Sequence, residues 1–283
     1  MYALLSDVRE PVDFACRTHG IRHCRIIISA TLLIWSCLWS GEPLAQPRLP
    51  AIPAGPVERV EATAKVDVFY VTNRKRNLGK SPADTYSGDR CGPRFGRCTV
   101  EFEPIPIINQ LAEKLPFYLR RETHAISLSE QAEPSVFWEQ LVSEAKNTTS
   151  GSVVLFVHGY NYGFERTCRM AAEMQRSLQG RARVVVFSWP SNGLASDYVR
   201  DQADVEWSVP LLAKLIRQLG ARIGRDNVQL VAHSLGSRGV VFALQRLGLE
   251  GARLPVIERL VLLAPDFDTQ SFVDLLPGIL PLV

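Results

Sequence analysis

The chain has 283 residues, of which 46% are hydrophobic and 22% charged, so it is long enough to bury a full core, and this composition excludes disorder and fibrous repeats. Lys and Arg (32) nearly balance Asp and Glu (29), and no run of five like charges occurs, so the sequence carries no electrostatic footprint of a nucleic-acid partner. The histidines and cysteines form no C-x-x-C pair and no H-x-x-x-H pair, and no metal site is predicted.

The first 45 residues have the charge and hydropathy order of a secretory signal. Basic residues at positions 22–25 precede an apolar stretch at 26–39, and the small and turn-forming residues GEPLAQ follow at 41–46. The apolar stretch is shorter than the roughly 20 residues that a helix needs to cross a bilayer. We therefore expect export to the periplasm or the medium. The alternative is an uncleaved inner-membrane anchor, in which case the protein associates with the membrane through this segment.

Residues 46–64 are rich in proline and alanine and are predicted to form a linker, which leaves 65–283 as one domain. Removal of the signal would leave three cysteines, and export favours pairing among them. The loop between Cys91 and Cys98 contains two glycines and a proline, so the predicted disulfide joins these two. Cys168 lies in a segment of helical periodicity and is then expected to be a buried free thiol.

Short apolar runs alternate with segments of helical periodicity through most of the domain. The runs predicted as strands are 66–72, 99–102, 153–157, 184–187, 228–231 and 260–263. The segments predicted as helices are 164–178, 198–219 and 237–247. Apolar strands that alternate with amphipathic helices indicate an α/β fold, with a mostly parallel sheet and helices on both of its faces.

One predicted strand-to-helix junction carries a serine, in the segment LVAHSLGSR at 230–238. A serine on such a tight turn has its hydroxyl lifted out of the sheet, and the strained backbone there requires small neighbours, which Ala232 and Gly236 supply. We predict that Ser234 is a nucleophile. The alternative is a serine that only caps the following helix.

A glycine-containing loop, HGYNYG at 158–163, follows the strand predicted at 153–157. Its two glycines allow backbone N–H groups to face the serine, where acyl transfer needs hydrogen-bond donors to the carbonyl oxygen. The predicted oxyanion hole combines the N–H of Leu235 with the N–H of Tyr160 or its neighbour. His158 is interpreted as a structural residue that orders the loop.

These motifs, taken together and in this order, resemble those of the α/β-hydrolase fold. Within it they resemble a poorly characterised bacterial branch whose members look like exported or membrane-associated serine hydrolases. The resemblance covers about residues 65–275 and rests on VDVFYVTNR (66–74), LFVHGYNYGFE (155–165), VVVFSWPS (184–191), YVRDQADVEWS (198–208), LVAHSLGSR (230–238) and LVLLAPDFD (260–268). It implies a serine hydrolase that acts on carboxylic esters or related acyl compounds and needs no cofactor.

The resemblance also implies a general base that the sequence does not supply in the expected place. In this fold the chain order is nucleophile, acid and then histidine, but all five histidines precede Ser234. His233 neighbours the serine and is expected to point to the opposite face of the sheet, so His124 and His158 are the remaining candidates. We therefore expect a C-terminally shortened form that lacks the last strand-helix units. The apolar tail at 275–283 fits this, because it makes a poor solvent-facing end.

Asp266 and Asp268 follow the last predicted strand. Asp266 is the candidate catalytic acid, since some hydrolases of this fold place the acid there, whereas Asp268 is expected to cap the next helix. Tyr162 and Trp189 are predicted to line an acyl pocket near the strand ends, with ordinary packing as the alternative for each.

Two functions therefore remain in competition. The first is an exported serine hydrolase that acts on a small acyl ester. The second is a non-catalytic exported binding or envelope-associated module that keeps the fold without the base.

Overall fold

A mixed sheet of eight strands organises the described part of the chain. The computed structural model describes residues 26–29, 64–77, 85–102, 125–131, 133–252 and 255–283. The strands are β1 (Ile26–Ser29), β2 (Ala64–Arg76), β3 (Tyr86–Phe102), β4 (Ala125–Gln131), β5 (Ser152–Val157), β6 (Ala182–Ser188), β7 (Val228–His233) and β8 (Arg259–Leu263). The helices are α1 (Pro134–Lys146), α2 (Phe164–Ser177), α3 (Tyr198–Ile223), α4 (Leu235–Leu249) and α5 (Thr269–Ile279).

The strand order is β1-β8-β7-β5-β6-β2-β3-β4, and the six strands from β1 to β2 in this order are parallel to one another. β3 and β4 extend the sheet antiparallel to β2. All six residues of the central strand β5 are buried, which explains its uninterrupted apolar sequence. The predicted α/β class with a mostly parallel sheet is confirmed.

Helices cover both faces of the sheet, as predicted. On one face α2 packs through residues such as Phe164 and Met170 against the sheet residues Val154 and Val186. On the other face α1, α3 and α4 pack against the alternate residues of the same strands, Leu155 among them. This alternation follows from the pleat, since successive side chains of a strand point to opposite faces.

The disulfide predicted between Cys91 and Cys98 is wrong. Both residues lie in β3, which is one continuous strand, so at about 3.3 Å per residue their Cα atoms are roughly 20 Å apart. The structure instead pairs Cys98 with Cys168 of α2, at a Cα–Cα distance of 6.3 Å. Cys91 is the free thiol, and the prediction that Cys168 is unpaired is also wrong.

The predicted signal and linker lie outside the described residues, apart from Ala64 and the backbone of 26–29, which pairs with β8 as a parallel strand. Within the parts of the chain that are described, no helix is both long and apolar enough to cross a membrane.

At the other end of the chain the apolar tail packs against its own domain. Ile279 and Leu282 are buried, and the carbonyl of Leu282 accepts a hydrogen bond from the N–H of Val256 at 2.8 Å.

Candidate active site

Ser234 occupies the sharp turn between β7 and α4. Its backbone has φ 49° and ψ −124°, a left-handed φ that costs a non-glycine residue about 1–3 kcal/mol and that the surroundings must enforce. Its N–H donates to the carbonyl of Leu263 at 2.9 Å, and its carbonyl accepts from the N–H of Asp266 at 3.2 Å. Hydrogen bonds to β8 and to the turn after it therefore hold the serine in this strained conformation at the carboxyl end of the sheet.

Two glycines bring the loop after β5 against this turn. A Cβ on Gly159 would lie 2.9 Å from the Cβ of Ser234, and a Cβ on Gly236 would overlap the carbonyl oxygen of His158. Such separations are available only to glycine, because any larger residue would push the two segments apart. The predicted contact between the loop at 158–163 and the serine turn is therefore present.

Two backbone N–H groups of this loop already donate hydrogen bonds within the protein. The N–H of Asn161 donates to Oδ2 of Asp201 at 3.1 Å, and the N–H of Tyr162 donates to Oγ of Ser191 at 3.0 Å. Neither amide can therefore also serve an oxyanion. Tyr160, between Gly159 and Asn161, retains the candidate donor of the loop.

Leu235 supplies the other predicted donor, because it is the first residue of α4. The first N–H groups of a helix lack intrahelical acceptors, and the helix dipole makes this end electropositive. The structure therefore brings both predicted donor residues to the neighbourhood of Ser234.

Asp266 follows β8 and lies beside the serine turn, but its carboxylate is held by a tyrosine. Oδ2 of Asp266 accepts a hydrogen bond from the hydroxyl of Tyr198 at 2.6 Å, and this bond raises the pKa of Tyr198. The Tyr198 hydroxyl also accepts from Nε2 of Gln202 at 3.2 Å, and the ring lies edge-on to that of Tyr160. No sequence pattern indicated the contact between Tyr198 and Asp266, since 68 positions separate the two residues.

Asp268 has the predicted capping role. Its Oδ1 accepts hydrogen bonds from both the N–H and the hydroxyl of Ser271, each at 2.8 Å, at the start of α5. These bonds lower the pKa of its carboxyl.

His158 is buried and stabilises the loop at 158–163. It is fully buried, its ring stacks on Trp189, and Nδ1 lies 2.9 Å from the carbonyl oxygen of Gly159, which requires a proton on Nδ1. Nε2 then faces Nη2 of Arg74 at 3.5 Å as the acceptor. Burial and the Arg74 charge lower the pKa of His158 well below its ordinary value, so the ring is neutral. This geometry matches a structural histidine.

The surroundings of His233 also disfavour a role as the general base. Its ring lies edge-on to Tyr162 at 6.1 Å between centroids. Burial and the nearby charge of Arg166 lower its pKa to about 4. His124, the remaining candidate base between the predicted linker and the C-terminus, lies outside the described residues.

Tyr162 and Trp189 occupy enclosed positions. Trp189 has no exposed surface and donates from Nε1 to the carbonyl of His158 at 2.9 Å, and Tyr162 is 5% exposed. Neither ring lines an open acyl pocket, so the packing alternative applies to both. An open groove of about 360 Å³ lies instead between α4 and α5, where Phe242, Phe267 and Leu275 supply apolar walls.

A buried polar network behind the loop escaped the sequence analysis. At its centre is Arg74, fully buried at the end of β2, and the carboxylate of Asp201 lies within the first turn of α3. The available signal was the polar ending of the apolar run VDVFYVTNR and the two aspartates of YVRDQADVEWS. The partners of these residues could not be predicted, because the hydrogen bonds join residues up to 135 positions apart.

The fold and the strained serine turn define a protein of the α/β-hydrolase class. Residues 132–276, about half of the chain, match the family described as alpha/beta hydrolase of unknown function (DUF900), and the chain belongs to this family. It is also similar to the uncharacterized protein alr1448 of Nostoc sp. (strain PCC 7120), with 27% identity over 42% of this chain and 36% of that protein. The match thus spans little more than a third of the relative's length. No solved structure matches the chain.

Proposed function

We propose that the protein is a serine hydrolase that cleaves carboxylic esters or related acyl compounds through Ser234. The observation that carries the proposal is the positive φ of Ser234 at a strand-to-helix turn, with glycine packed against it from the loop after β5. This strained conformation presents the serine hydroxyl at the carboxyl end of the sheet. A serine that only caps a helix does not need such a strained backbone.

In the proposed reaction the Ser234 oxygen bonds to the acyl carbon while its proton passes to a general base, and negative charge develops on the carbonyl oxygen. The amides of Leu235 and Tyr160 stabilise that charge, and losing one such donor costs about 3 kcal/mol of barrier. The bond to the alcohol then breaks, the alcohol leaves with a proton, and water hydrolyses the acyl-serine to release the acid. The groove between α4 and α5 is the proposed site for the acyl chain. Phe242 and Phe267 give it apolar walls, and Arg238, which also lines it, lies one helical turn after Ser234.

The proposal requires a general base, since an unassisted serine is a weak nucleophile. His158 and His233 are poor candidates because burial lowers the pKa of both rings, which makes them weak proton acceptors, and the two ring nitrogens of His158 face Arg74 and Gly159. The base is therefore expected from a segment outside the described residues, and His124 is the first candidate to replace.

We also propose export, as the N-terminal sequence predicts. The bond between Cys98 and Cys168 supports this, because structural disulfides persist in oxidising compartments. Fractionation of cells that express the full chain, with intact mass of the product, tests both export and removal of the leader. Retention of the full-length chain in the inner membrane would favour the anchor alternative.

One observation favours the competing function, a non-catalytic binding module. The carboxylate of Asp266, the candidate acid, is engaged by Tyr198, and the two ring nitrogens of His158 face Arg74 and Gly159. A protein that had lost its base could retain this arrangement.

Intact mass after treatment with a fluorophosphonate probe separates the two functions. We expect one adduct on the folded wild type and none on Ser234→Ala. Ser237→Ala is the matched control, because it removes a neighbouring buried hydroxyl, which donates to the carbonyl of Ala232 at 3.4 Å, and keeps Ser234 itself. His124→Ala tests the candidate base. If the wild type is folded by circular dichroism and remains unlabelled, the hydrolase proposal fails and the binding module stands.

A further inference from the structure

Arg74 is a buried charge in a position where sheet packing alone does not require one. Its side chain has no exposed surface. Burial lowers its pKa to about 9, with the charges of Asp201 and Asp204 opposing that effect, so the guanidinium stays protonated at neutral pH. A buried charge must be compensated by hydrogen bonds, and the partners of Arg74 are therefore informative.

Apart from the carbonyl of Ser87 in β3, to which Nη1 donates at 3.4 Å, the partners of the Arg74 guanidinium belong to two segments that follow β5 and end β6. Nε donates to Oγ of Ser188, the last residue of β6, at 2.8 Å, and Nη1 donates to the carbonyl of Ser191, in the loop after β6, at 2.6 Å. Nη2 donates to the carbonyl of Tyr162 at 2.7 Å and faces Nε2 of His158 at 3.5 Å, both in the loop after β5. One planar guanidinium therefore fixes the distance between the two loops, which a single ammonium cannot do.

Asp201 holds the same loop from the other side. It is fully buried, and its Oδ2 accepts from the N–H of Asn161 at 3.1 Å and from the hydroxyl of Ser191 at 2.5 Å. Asn161 has a φ of 62°, so this bond stabilises a left-handed residue next to Tyr160. The loop is thus tied at positions 158, 161 and 162, on both sides of the Tyr160 amide.

We infer that Arg74 is a positioning residue which, together with Asp201, holds the loop at 158–163 in the shape that directs the Tyr160 amide toward the oxyanion formed at Ser234. The inference rests on the proposed hydrolase function for its catalytic consequence. The loop-holding role itself follows from the contacts and can be measured without any activity.

The test uses Arg74→Met and Arg74→Lys in the full chain. Arg97→Met is the matched control. Like Arg74, Arg97 lies on a strand of the sheet and donates hydrogen bonds from its guanidinium, but its acceptors are the side chains of Gln140 and Glu144 in α1, away from the loop at 158–163. Two quantities are measured for each folded variant: the hydrogen-exchange rates of the Asn161 and Tyr162 amides, and the rate of fluorophosphonate labelling at Ser234 separated into probe affinity and the chemical step.

For Arg74→Met we expect at least about tenfold faster exchange at both amides, while the amides of β5 remain protected. We expect the chemical step of labelling to slow about 100-fold, as for loss of an oxyanion donor, with probe affinity little changed. Arg74→Lys should fall between Arg74→Met and the wild type, and Arg97→Met should change neither quantity.

Unchanged exchange at Asn161 and Tyr162 in folded Arg74→Met overturns the inference. Faster exchange with an unchanged labelling rate also overturns it, because Arg74 would then be structural only. An unlabelled wild type defeats the proposed function, while the exchange rates still decide whether Arg74 holds the loop. If Arg74→Met does not fold, Asp201→Asn removes the opposite charge at constant size and is expected to speed exchange at Asn161.

Discussion

Gly159 lies directly against Ser234, and this contact joins the two halves of the candidate site. A methyl group on Gly159 would place its carbon 2.9 Å from the Cβ of Ser234, 2.7 Å from Nδ1 of His233 and 3.0 Å from the carbonyl oxygen of His233. The backbone of the loop after β5 can therefore approach the serine only because position 159 has no side chain.

Replacement of this glycine tests the contact. We expect Gly159→Ala to destabilise the protein by about 1–3 kcal/mol through overpacking and to abolish labelling of Ser234, because the loop must retreat from the turn. Urea unfolding and fluorophosphonate labelling measure the two effects.

Gly163→Ala is the control for that replacement. It lies in the same loop with an ordinary φ of −66°, and no atom lies within 4 Å of the position that its Cβ would occupy. We expect little change in stability or labelling. Equal stability and equal labelling of Gly159→Ala and Gly163→Ala would show that the close contact at Gly159 affects neither quantity.

The parts of the fold that the sequence predicts are those with strong local periodicity. The helix predicted at 164–178 is α2 at Phe164–Ser177, and the strand predicted at 184–187 is the interior of β6. By contrast, only 99–102 of β3 was predicted, because the first half of that strand is polar and glycine-rich and pairs along an extended, partly exposed arm of β2. The same error explains why the disulfide partner of Cys98 was predicted wrongly, since a cysteine next to a loop and a cysteine within a strand have different neighbours.

In the candidate site, too, only the part that depends on local sequence could be predicted. Ser234 could be predicted because its strand, turn and helix are contiguous in sequence. The contacts of Arg74 with Tyr162 and of Tyr198 with Asp266 join residues 88 and 68 positions apart. Such contacts depend on the strand order, which local pattern does not determine.

The disulfide between Cys98 and Cys168 should contribute strongly to stability. It closes a chain segment with a sequence separation of 70, and a loop of this length corresponds to about 4 kcal/mol in the chain-entropy model. We expect a reductant to lower the urea midpoint of the wild type and to have no effect on the double variant Cys98→Ala/Cys168→Ala. Cys91→Ala should respond to reductant as the wild type does. A wild-type midpoint that does not change on complete reduction would contradict the prediction.

Acid should destabilise the protein partly through His233. Burial lowers the folded-state pKa to about 4, whereas an unfolded histidine has a pKa of about 6.5. Between these two values the unfolded state binds a proton that the folded state does not, so stability is retained above pH 6.5 and falls as the pH drops toward 4. The loss is at most about 3 kcal/mol for this residue.

His233→Gln should flatten this acid dependence. Urea unfolding at pH 8, 7 and 4.5 gives the comparison, and the two proteins should show parallel pH dependence between pH 7 and 8. His158 remains in the variant and contributes in the same direction, because its folded-state pKa is also lowered. Equal loss of stability by both proteins at pH 4.5 would assign the acid sensitivity elsewhere.

The bond between Tyr198 and Asp266 should be visible at alkaline pH. The hydrogen bond to the Asp266 carboxylate raises the pKa of Tyr198 above its ordinary value of 10. The unfolded state then loses its proton first as the pH rises, so the stabilisation is complete below pH 10 and is lost as the pH approaches the folded-state value. Tyr198→Phe should lower stability at pH 7 by about 1 kcal/mol through loss of the hydrogen bond, and should lose less stability than the wild type between pH 9 and 11.

The same variants test what Asp266 does. The difference in phenolate absorbance between wild type and Tyr198→Phe isolates the titration of Tyr198, and Asp266→Asn should move that titration to lower pH because the charged acceptor is gone. If Asp266 serves the proposed hydrolase as its acid, a base must share or displace the Tyr198 contact. Tyr198→Phe should then keep or increase the labelling rate of Ser234, whereas Asp266→Asn should lower it. A titration that Asp266→Asn leaves unchanged would show that the carboxylate is not held by Tyr198 in solution, and Asp266 would then be free to meet a base directly.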